Sequence, residues 1–186
     1  YKVSLAEVLI PAADVSIQSS TAGFEASGTG NMKFALNGAL TVGTYDGANI
    51  EIREAVGADN FYLFGLREEQ IQEMRKNNAY NPRACYENSE YLRRILNAVN
   101  SNMFCEKDYV LLFKVIYEEL LNRDYYFLLA DLEAFNKALH DAEKDYTNPQ
   151  KWAKKAIINV AKIGYFSSDR AVMEYAKNIW HIKPVD

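Results

Sequence analysis

The chain has few of the residues that most metal sites need. Its 186 residues include only two cysteines and two histidines. Cys85 and Cys105 form no Cys-x-x-Cys pair, and His140 and His181 stand alone. Without a cluster of such ligands, the sequence indicates no metal site. The low cysteine content also favours a cytoplasmic location over an oxidising compartment.

The chain also lacks long apolar runs and an excess of basic residues. No apolar stretch approaches the ~20 residues that a membrane-spanning helix needs. Its 21 basic and 25 acidic residues give a net charge of −4, which does not drive non-specific binding to nucleic acid. We therefore expect neither a membrane nor nucleic acid as a partner. The chain begins with Tyr1 rather than Met, so we expect it to be a piece of a longer protein.

What the chain does have is a globular composition, with 49% hydrophobic and 25% charged residues. Its first part alternates between short strands and helices. We predict strands at Asp14–Gln18, Ala39–Gly43 and Phe61–Phe64, and helices at Gly30–Asn37, Ala48–Val56 and Arg67–Lys76. This alternation predicts an α/β fold with a parallel sheet covered by helices. Ser4 and Glu7 fit a capping box for a first helix that must end by Pro11.

The second part is rich in helical patterns. We predict helices near Glu90–Val99, Tyr109–Asn122, Leu132–Tyr146, Pro149–Ile163 and Ser168–Trp180. Asn148 and Pro149 are typical of an N-cap and a first helical residue. The segment Tyr125–Asp131 is compatible with one more strand. We interpret the tyrosines and phenylalanines here as core and interface residues rather than ligand contacts.

One stretch, EASGTGNMKFALNGALTVGTYDGAN, holds five of the nine glycines and a single lysine, Lys33. Gly28, Thr29 and Gly30 precede a predicted helix, and the free N–H groups of a helix N-terminus bind anions. Lys33 could add charge to a phosphate or form a Schiff base with a carbonyl cofactor. Its apolar neighbours indicate a poorly solvated amine. A plain loop beside a surface lysine is the alternative, because neither a Walker A nor a Gly-x-Gly-x-x-Gly pattern is present.

This stretch resembles the cofactor attachment region of the α-glucan phosphorylases, the family of glycogen, starch and maltodextrin phosphorylases. The resemblance extends upstream through YKVSLAEVLIPAADVSIQSSTAG and returns downstream at NPQKWAKKAIINVAKIGYFSSDRAVMEYAKNIW. It covers about two-thirds of the chain, and the central part, roughly Leu66–Lys144, matches by pattern only.

The resemblance implies a pyridoxal 5′-phosphate site. Lys33 corresponds to the lysine that forms the aldimine with this cofactor. Thr29 and the amide of Gly30 correspond to donors near the cofactor phosphate, and Tyr1 corresponds to a tyrosine of the cofactor pocket.

The resemblance also implies a substrate site on the same loop. Glu25, Ser27 and the amide of Gly28 correspond to groups that hold the hydroxyls of the transferred glucosyl unit. The segment Asp46–Asn49 belongs to the family pattern as well. From its residue type we interpret Asp46 as a turn or N-cap residue rather than a catalytic group.

The activity implied is phosphorolysis of α-1,4-glucans such as glycogen. The cofactor phosphate exchanges a proton with inorganic phosphate, which attacks the terminal glucosyl unit to give glucose 1-phosphate with retention. Lys33 then anchors the cofactor, and no glycosidase-like carboxylate pair is needed.

The fold implied is part of the C-terminal Rossmann-like domain of a two-domain, GT-B type glycosyltransferase. Residues 1–80 would be its α/β cofactor-binding part, and residues 81–186 its helix-rich remainder. The N-terminal part of such a protein would be missing, together with the basic segment that binds substrate phosphate. We therefore expect the chain alone to be inactive and to expose an unpaired sheet edge and apolar helix faces. A homodimer is implied by family analogy only.

Two other interpretations remain. The chain could be a non-catalytic piece that at most binds the cofactor. It could also belong to a sugar-nucleotide glycosyltransferase of similar fold without pyridoxal phosphate, although Lys33 within its full motif argues against that.

Overall fold

A parallel β-sheet forms the centre of the first half of the chain in the computed structural model, which describes residues 2–104 and 113–183. The strands are β1 (Val15–Gln18), β2 (Leu40–Gly43) and β3 (Tyr62–Leu63). They lie in the order β1-β2-β3, with Val15 opposite Leu40. The central strand, β2, is buried along its whole length, as expected when both faces of a parallel sheet are covered. The predicted parallel sheet is confirmed.

Helices make up most of the rest of the described chain. They are α1 (Val3–Leu9), α2 (Gly30–Leu36), α3 (Asn49–Val56), α4 (Glu68–Lys76), α5 (Pro82–Asn88), α6 (Glu90–Val99), α7 (Lys114–Asn122), α8 (Leu128–Tyr146), α9 (Pro149–Lys162) and α10 (Ser168–Tyr175). A π-helical turn follows α10 over Ala176–Trp180. The first residues of the helix predicted at Tyr109–Asn122 lie outside the described residues.

Helices cover both faces of the sheet. On one face, Leu40 and Val42 of β2 pack with Ala138 and Ala142 of α8 and with Trp152 of α9. The opposite face is covered by a second cluster whose buried members are Ala35, Ile52, Val56, Phe61 and Ile163. The first two come from α2 and α3, the helices that connect the three strands. The two clusters together give the layered α/β arrangement that the alternating pattern predicts.

A separate apolar cluster lies among the later helices. Its buried members are Leu92 and Leu96 of α6, Leu121 of α7 and Leu129 of α8. α8 belongs to this cluster and to the sheet cluster. It therefore links the α/β part to the helix-rich part.

The prediction of a capping box at Ser4 and Glu7 is wrong. α1 begins at Val3, and Lys2 occupies the N-cap position without a side-chain hydrogen bond. The carbonyl oxygen of Lys2 already accepts hydrogen bonds from the N–H groups of Leu5 and Ala6, at 3.1 and 3.0 Å. Ser4 therefore lies inside the first helical turn. The helix ends before Pro11, as predicted.

The prediction of a strand at Tyr125–Asp131 is also wrong, because α8 already begins at Leu128. The side chain of Asp124 caps this start. Its two carboxylate oxygens accept hydrogen bonds from the N–H groups of Leu128 and Leu129, at 2.9 and 2.8 Å. Phe127 has a φ of +56°, which turns the chain sharply into the helix. Because Asp124 accepts hydrogen bonds from these two N–H groups, the apolar segment from Leu128 onward forms a helix rather than a strand.

Candidate functional site

The loop that follows β1 lies at the carboxyl edge of the sheet, where parallel α/β folds place their ligands. It covers residues 19–29 and leads directly into α2. The turn that follows β2, residues 44–48, lies against this loop: the hydroxyl oxygens of Ser20 and Thr44 are 3.3 Å apart. The candidate site is therefore built from two loops that leave neighbouring strands.

Asp46 fastens the glycine-rich loop to the turn after β2. This buried side chain accepts hydrogen bonds at Oδ1 from the N–H groups of Gly23 and Gly47, both at 3.0 Å. Its Oδ2 accepts a hydrogen bond from the N–H of Glu25 at 2.9 Å. Bonds to a carboxylate are stronger than neutral ones. The predicted turn role of Asp46 is confirmed, whereas the N-cap position of α3 belongs to Ala48.

Gly47 allows the two loops to meet closely. Its φ is +48°, in the left-handed region that favours glycine. A Cβ at this position would lie 2.6 Å from the carbonyl oxygen of Ser27 and 3.0 Å from Cγ of Glu25. The N–H of Ala48 donates to the same Ser27 oxygen at 2.7 Å. A larger residue at position 47 would therefore displace both Glu25 and Ser27.

A buried pair of asparagines ties α2 to α3. Nδ2 of Asn31 donates to Oδ1 of Asn49 at 3.0 Å, and Nδ2 of Asn49 donates to the carbonyl oxygen of Thr44 at 3.1 Å. Oδ1 of Asn31 accepts from the N–H of Met32 at 2.9 Å. Gly28 lies beside this pair, since a Cβ there would meet the side chain of Asn31 at 3.3 Å. These bonds fix where α2 begins relative to the end of β2.

The start of α2 is open on the side of the loop. Thr29 occupies the N-cap position, and its side chain forms no capping hydrogen bond within the described ranges. A Cβ on Gly30 would have no heavy atom within 4 Å. Space is therefore available beside Gly30, the first residue of α2. A role of this turn in anion binding remains a prediction.

Lys33 lies one turn into α2 and its side chain is exposed. Its N–H donates to the carbonyl oxygen of Thr29 at 3.2 Å, and its own carbonyl oxygen accepts from the N–H of Asn37 at 3.2 Å. The apolar sequence neighbours of Lys33 therefore do not bury the residue, and the poor solvation of its amine stays a prediction. Successive residues of a helix point about 100° apart, so the buried Ala35 faces the sheet while Lys33 faces outward.

The structure brings the predicted substrate residues together on one surface loop. Glu25 and Ser27 are exposed and Gly28 is half-buried. The loop passes into the helix that carries Lys33, so the proposed sugar and cofactor groups are adjacent along the chain. Tyr1 lies outside the described residues.

Sequence reasoning missed the polar groups beneath the loop. Asn31 and Asn49 are buried and bonded to each other, and neither was predicted as a site residue. The contacts of Asp46 with Gly23 and Glu25 were missed too, since they join positions more than twenty residues apart. The available signal was the Asp46–Asn49 segment of the family pattern, in which Asp46 was interpreted as a turn or N-cap residue.

Another buried carboxyl group lies beyond the end of β3. Oδ1 of Asp131 accepts from the N–H of Leu66 at 2.8 Å, and burial raises the pKa of this carboxyl group. Gly65 has a φ of +83°, and a Cβ there would lie 2.8 Å from Oδ2 of Asp131. A mainly apolar cavity of about 290 Å³ adjoins Asp131 and Ser19. None of the predicted site residues lines it.

Residues 2–104 and 113–183 contain no group of three or more His, Cys, Asp or Glu side chains arranged to hold a metal ion. In the same ranges, every helix is too short or too polar to cross a membrane.

A parallel sheet with a glycine-rich loop at its carboxyl edge, followed by a helix that carries an exposed lysine, defines an α/β protein whose loop lies where such folds commonly place their ligands. Known proteins identify the family. Residues 1–182 match the family model described as carbohydrate phosphorylase. The chain belongs to the carbohydrate phosphorylase family.

Individual relatives are similar over essentially the whole chain. The chain is 51% identical over 183 residues to the glycogen phosphorylase of Chlamydia trachomatis. This match covers 98% of the present chain and 22% of that relative. It is 48% identical over 185 residues to the glycogen phosphorylase of Synechocystis, and 47% identical over 186 residues to the brain form of Homo sapiens. Both matches cover 100% of this chain and 22% of the relative. The chain therefore spans about a fifth of the length of these relatives.

Proposed function

We propose that the protein containing this chain is an α-1,4-glucan phosphorylase. It would transfer the terminal glucosyl unit of a glycogen-like glucan to inorganic phosphate and release glucose 1-phosphate. The observation that carries the proposal is the loop from Gly23 to Gly28, held by Asp46 and leading into the helix of Lys33. The relatives, which are named glycogen phosphorylases, support it.

Pyridoxal 5′-phosphate is the cofactor we propose. The chain fits it, because Lys33 lies on an exposed face of α2 and a side-chain atom at Gly30, the first residue of that helix, would meet open space. Lys33 would hold the cofactor covalently, and Thr29 and the Gly30 amide would bind its phosphate. When bound, the cofactor supplies a phosphate group that exchanges a proton with the substrate phosphate. Lys33 thus has an anchoring role, and its position on a helix limits how far it can move.

The substrate side of the site rests on the loop before α2. Glu25, Ser27 and the amide of Gly28 would bind hydroxyls of the glucosyl unit. Because Asp46 binds the N–H of Glu25, and Ala48 binds the carbonyl oxygen of Ser27, the loop backbone is fixed before substrate arrives. Such pre-organisation lowers the entropy cost of orienting the sugar.

The remaining parts of the proposal concern the whole protein. We propose a GT-B type architecture in which residues 1–80 and 81–186 belong to one C-terminal Rossmann-like domain. The N-terminal part of the same protein would complete the active site and bind substrate phosphate. We further propose a cytoplasmic enzyme, with a homodimer by analogy to the family.

Covalent labelling tests the role of Lys33. The full-length protein is incubated with pyridoxal phosphate, reduced with borohydride and mapped by peptide mass spectrometry. We expect one modified peptide, containing Lys33, which disappears in Lys33→Ala and persists in the control Lys154→Ala, an exposed lysine of α9. Labels scattered over surface lysines would contradict the cofactor assignment. Release of glucose 1-phosphate from glycogen, dependent on inorganic phosphate, tests the activity separately.

A further inference from the structure

We propose that Phe24, Tyr125 and Tyr126 form a stacking surface for glucosyl units of the glucan, next to the loop that holds the transferred unit. This inference rests on the proposed phosphorylase function and adds a glucan contact to it. The three rings are called the aromatic surface below.

The aromatic surface is assembled from two distant parts of the chain. The ring centroid of Phe24 lies 5.9 Å from that of Tyr125 and 5.6 Å from that of Tyr126, and the two tyrosine rings are 5.0 Å apart. All three contacts are edge-to-face, which is a favourable arrangement for aromatic pairs. Yet the rings remain 42%, 49% and 52% exposed. An exposed cluster of large aromatic side chains indicates a binding surface more than a core.

The aromatic surface is held rigid by polar contacts behind it. The guanidinium carbon of Arg75 lies 5.0 Å from the ring centroid of Phe24 and 4.6 Å from that of Tyr125. Nη2 of Arg75 also donates to the carbonyl oxygen of Tyr125 at 2.7 Å. The hydroxyl of Thr21 donates to the carbonyl oxygen of Tyr126 at 2.8 Å. Because these contacts fix both backbone and rings, a ligand would bind without ordering them first.

The position and chemistry of the surface favour a sugar. Phe24 precedes Glu25, the residue proposed to bind a glucosyl hydroxyl, so the surface continues directly from the proposed sugar loop. Flat ring faces suit the apolar face of a pyranose, and the sugar hydroxyls need polar partners at the edge. Arg123 and Tyr125 line the same cleft of about 320 Å³, so a second guanidinium group lies beside the surface. The surface therefore suits a neutral, hydroxyl-rich chain that extends away from Glu25.

Steady-state kinetics of the full-length protein test this inference, with an α-1,4-linked glucose heptamer as the glucan. We expect Phe24→Ala and Tyr126→Ala each to raise KM for the heptamer roughly three- to tenfold, and the double variant to raise it more. KM for inorganic phosphate and the bound pyridoxal phosphate content should stay unchanged. Tyr126→Phe keeps the ring and should behave as wild type. Direct calorimetric titration of the heptamer, without phosphate, gives a second readout that does not depend on turnover.

Tyr146→Ala is the matched control. Tyr146 is an exposed tyrosine, 53% accessible and in edge contact with Trp152, but it lies at the far end of α8, about 28 Å from its start. An unchanged heptamer KM and affinity in the double variant would overturn the inference while leaving the phosphorylase function intact. An equal rise in the Tyr146 control would also overturn it, since the effect would then be general. Wild-type protein that releases no glucose 1-phosphate would instead contradict the proposed function.

Discussion

At the scale of single residues, Asp46 is the main support of the candidate site. One buried carboxylate accepts three backbone N–H groups, from Gly23, Glu25 and Gly47. Because Asp46 is buried, water can replace this acceptor only in part when the carboxylate is removed. The conformation of the loop around Glu25 therefore depends on a residue outside that loop.

We predict that Asp46→Asn destabilises the protein by about 2–3 kcal/mol. The amide has one acceptor oxygen in place of two, and its NH₂ group faces a backbone N–H. Urea unfolding measures the loss of stability. The control Asp59→Asn changes an exposed carboxylate and should have little effect. Equal stability of the two variants would show that the loop does not depend on Asp46.

The candidate residues of this site follow from a local sequence pattern, whereas the contacts beneath them do not. Gly28, Gly30 and Lys33 are candidates because glycine spacing before a helix is a local pattern. The role of Asp46 could not be found in this way, since its partners lie 21 and 23 positions away. The exposure of Lys33 was missed for a related reason: apolar neighbours in sequence lie on other faces of a helix.

At the scale of elements, helix starts show why some predictions succeeded. Asn148 caps α9 by accepting from the N–H of Lys151 at 3.1 Å, as its position before Pro149 predicted. The start of α8 was missed. The capping residue, Asp124, lies four residues before Leu128, and the apolar residues that follow Asp124 are typical of a strand. A tertiary contact also holds the capping residue in place, since the hydroxyl of Tyr80 donates to Asp124.

We predict that Asp124→Ala costs about 2–3 kcal/mol of stability, because two amides at the start of α8 lose their buried acceptor. Hydrogen exchange at Leu128 and Leu129 should accelerate. Tyr80→Phe removes only the hydroxyl and keeps the carboxylate, so its loss should be smaller, about 1 kcal/mol, with those two amides still protected. Undisturbed exchange at both amides in Asp124→Ala would refute the capping role.

At the scale of the whole molecule, the described chain leaves a large apolar surface uncovered. α1 has no buried residue, and Val3, Leu5, Val8 and Leu9 are 53–66% exposed. Such a short helix is marginal in water without packing. An exposed apolar helix face was expected from the resemblance and is confirmed. It agrees with a segment that spans about a fifth of the length of its relatives.

The layers themselves are joined by a polar cluster around Asp145 of α8. Its Oδ2 accepts from the hydroxyl of Tyr62 of β3 at 2.9 Å and lies 2.7 Å from Nζ of Lys155 of α9. Lys151 of α9 pairs with its other oxygen. Burial opposes ionisation of this carboxyl group, but hydrogen bonds from the two lysines and Tyr62 outweigh it and lower the pKa of Asp145 to about 2. Burial together with the bond to Asp145 raises the pKa of Tyr62.

We predict that this cluster makes the packing of sheet and helices sensitive to acid. The folded pKa of Asp145 is depressed, so its contribution is complete above the unfolded value of about 4 and is lost as pH falls toward 2. The difference corresponds to about 2 kcal/mol at neutral pH. Urea unfolding measured between pH 6 and pH 2 should therefore show wild-type stability falling more steeply than that of Asp145→Asn.

The matched control is Asp169→Asn, an exposed carboxylate in the first turn of α10, whose acid profile should follow that of wild type. Breaking a buried pair leaves Lys155 without its partner, so Asp145→Asn should be less stable than wild type at neutral pH and approach it near pH 2. If the effect comes from charge, the stability profiles of wild type and Asp145→Asn must converge as the pH falls. Profiles that stay parallel across the range would show that the loss came from packing alone, and that Asp145 does not couple the layers through its charge.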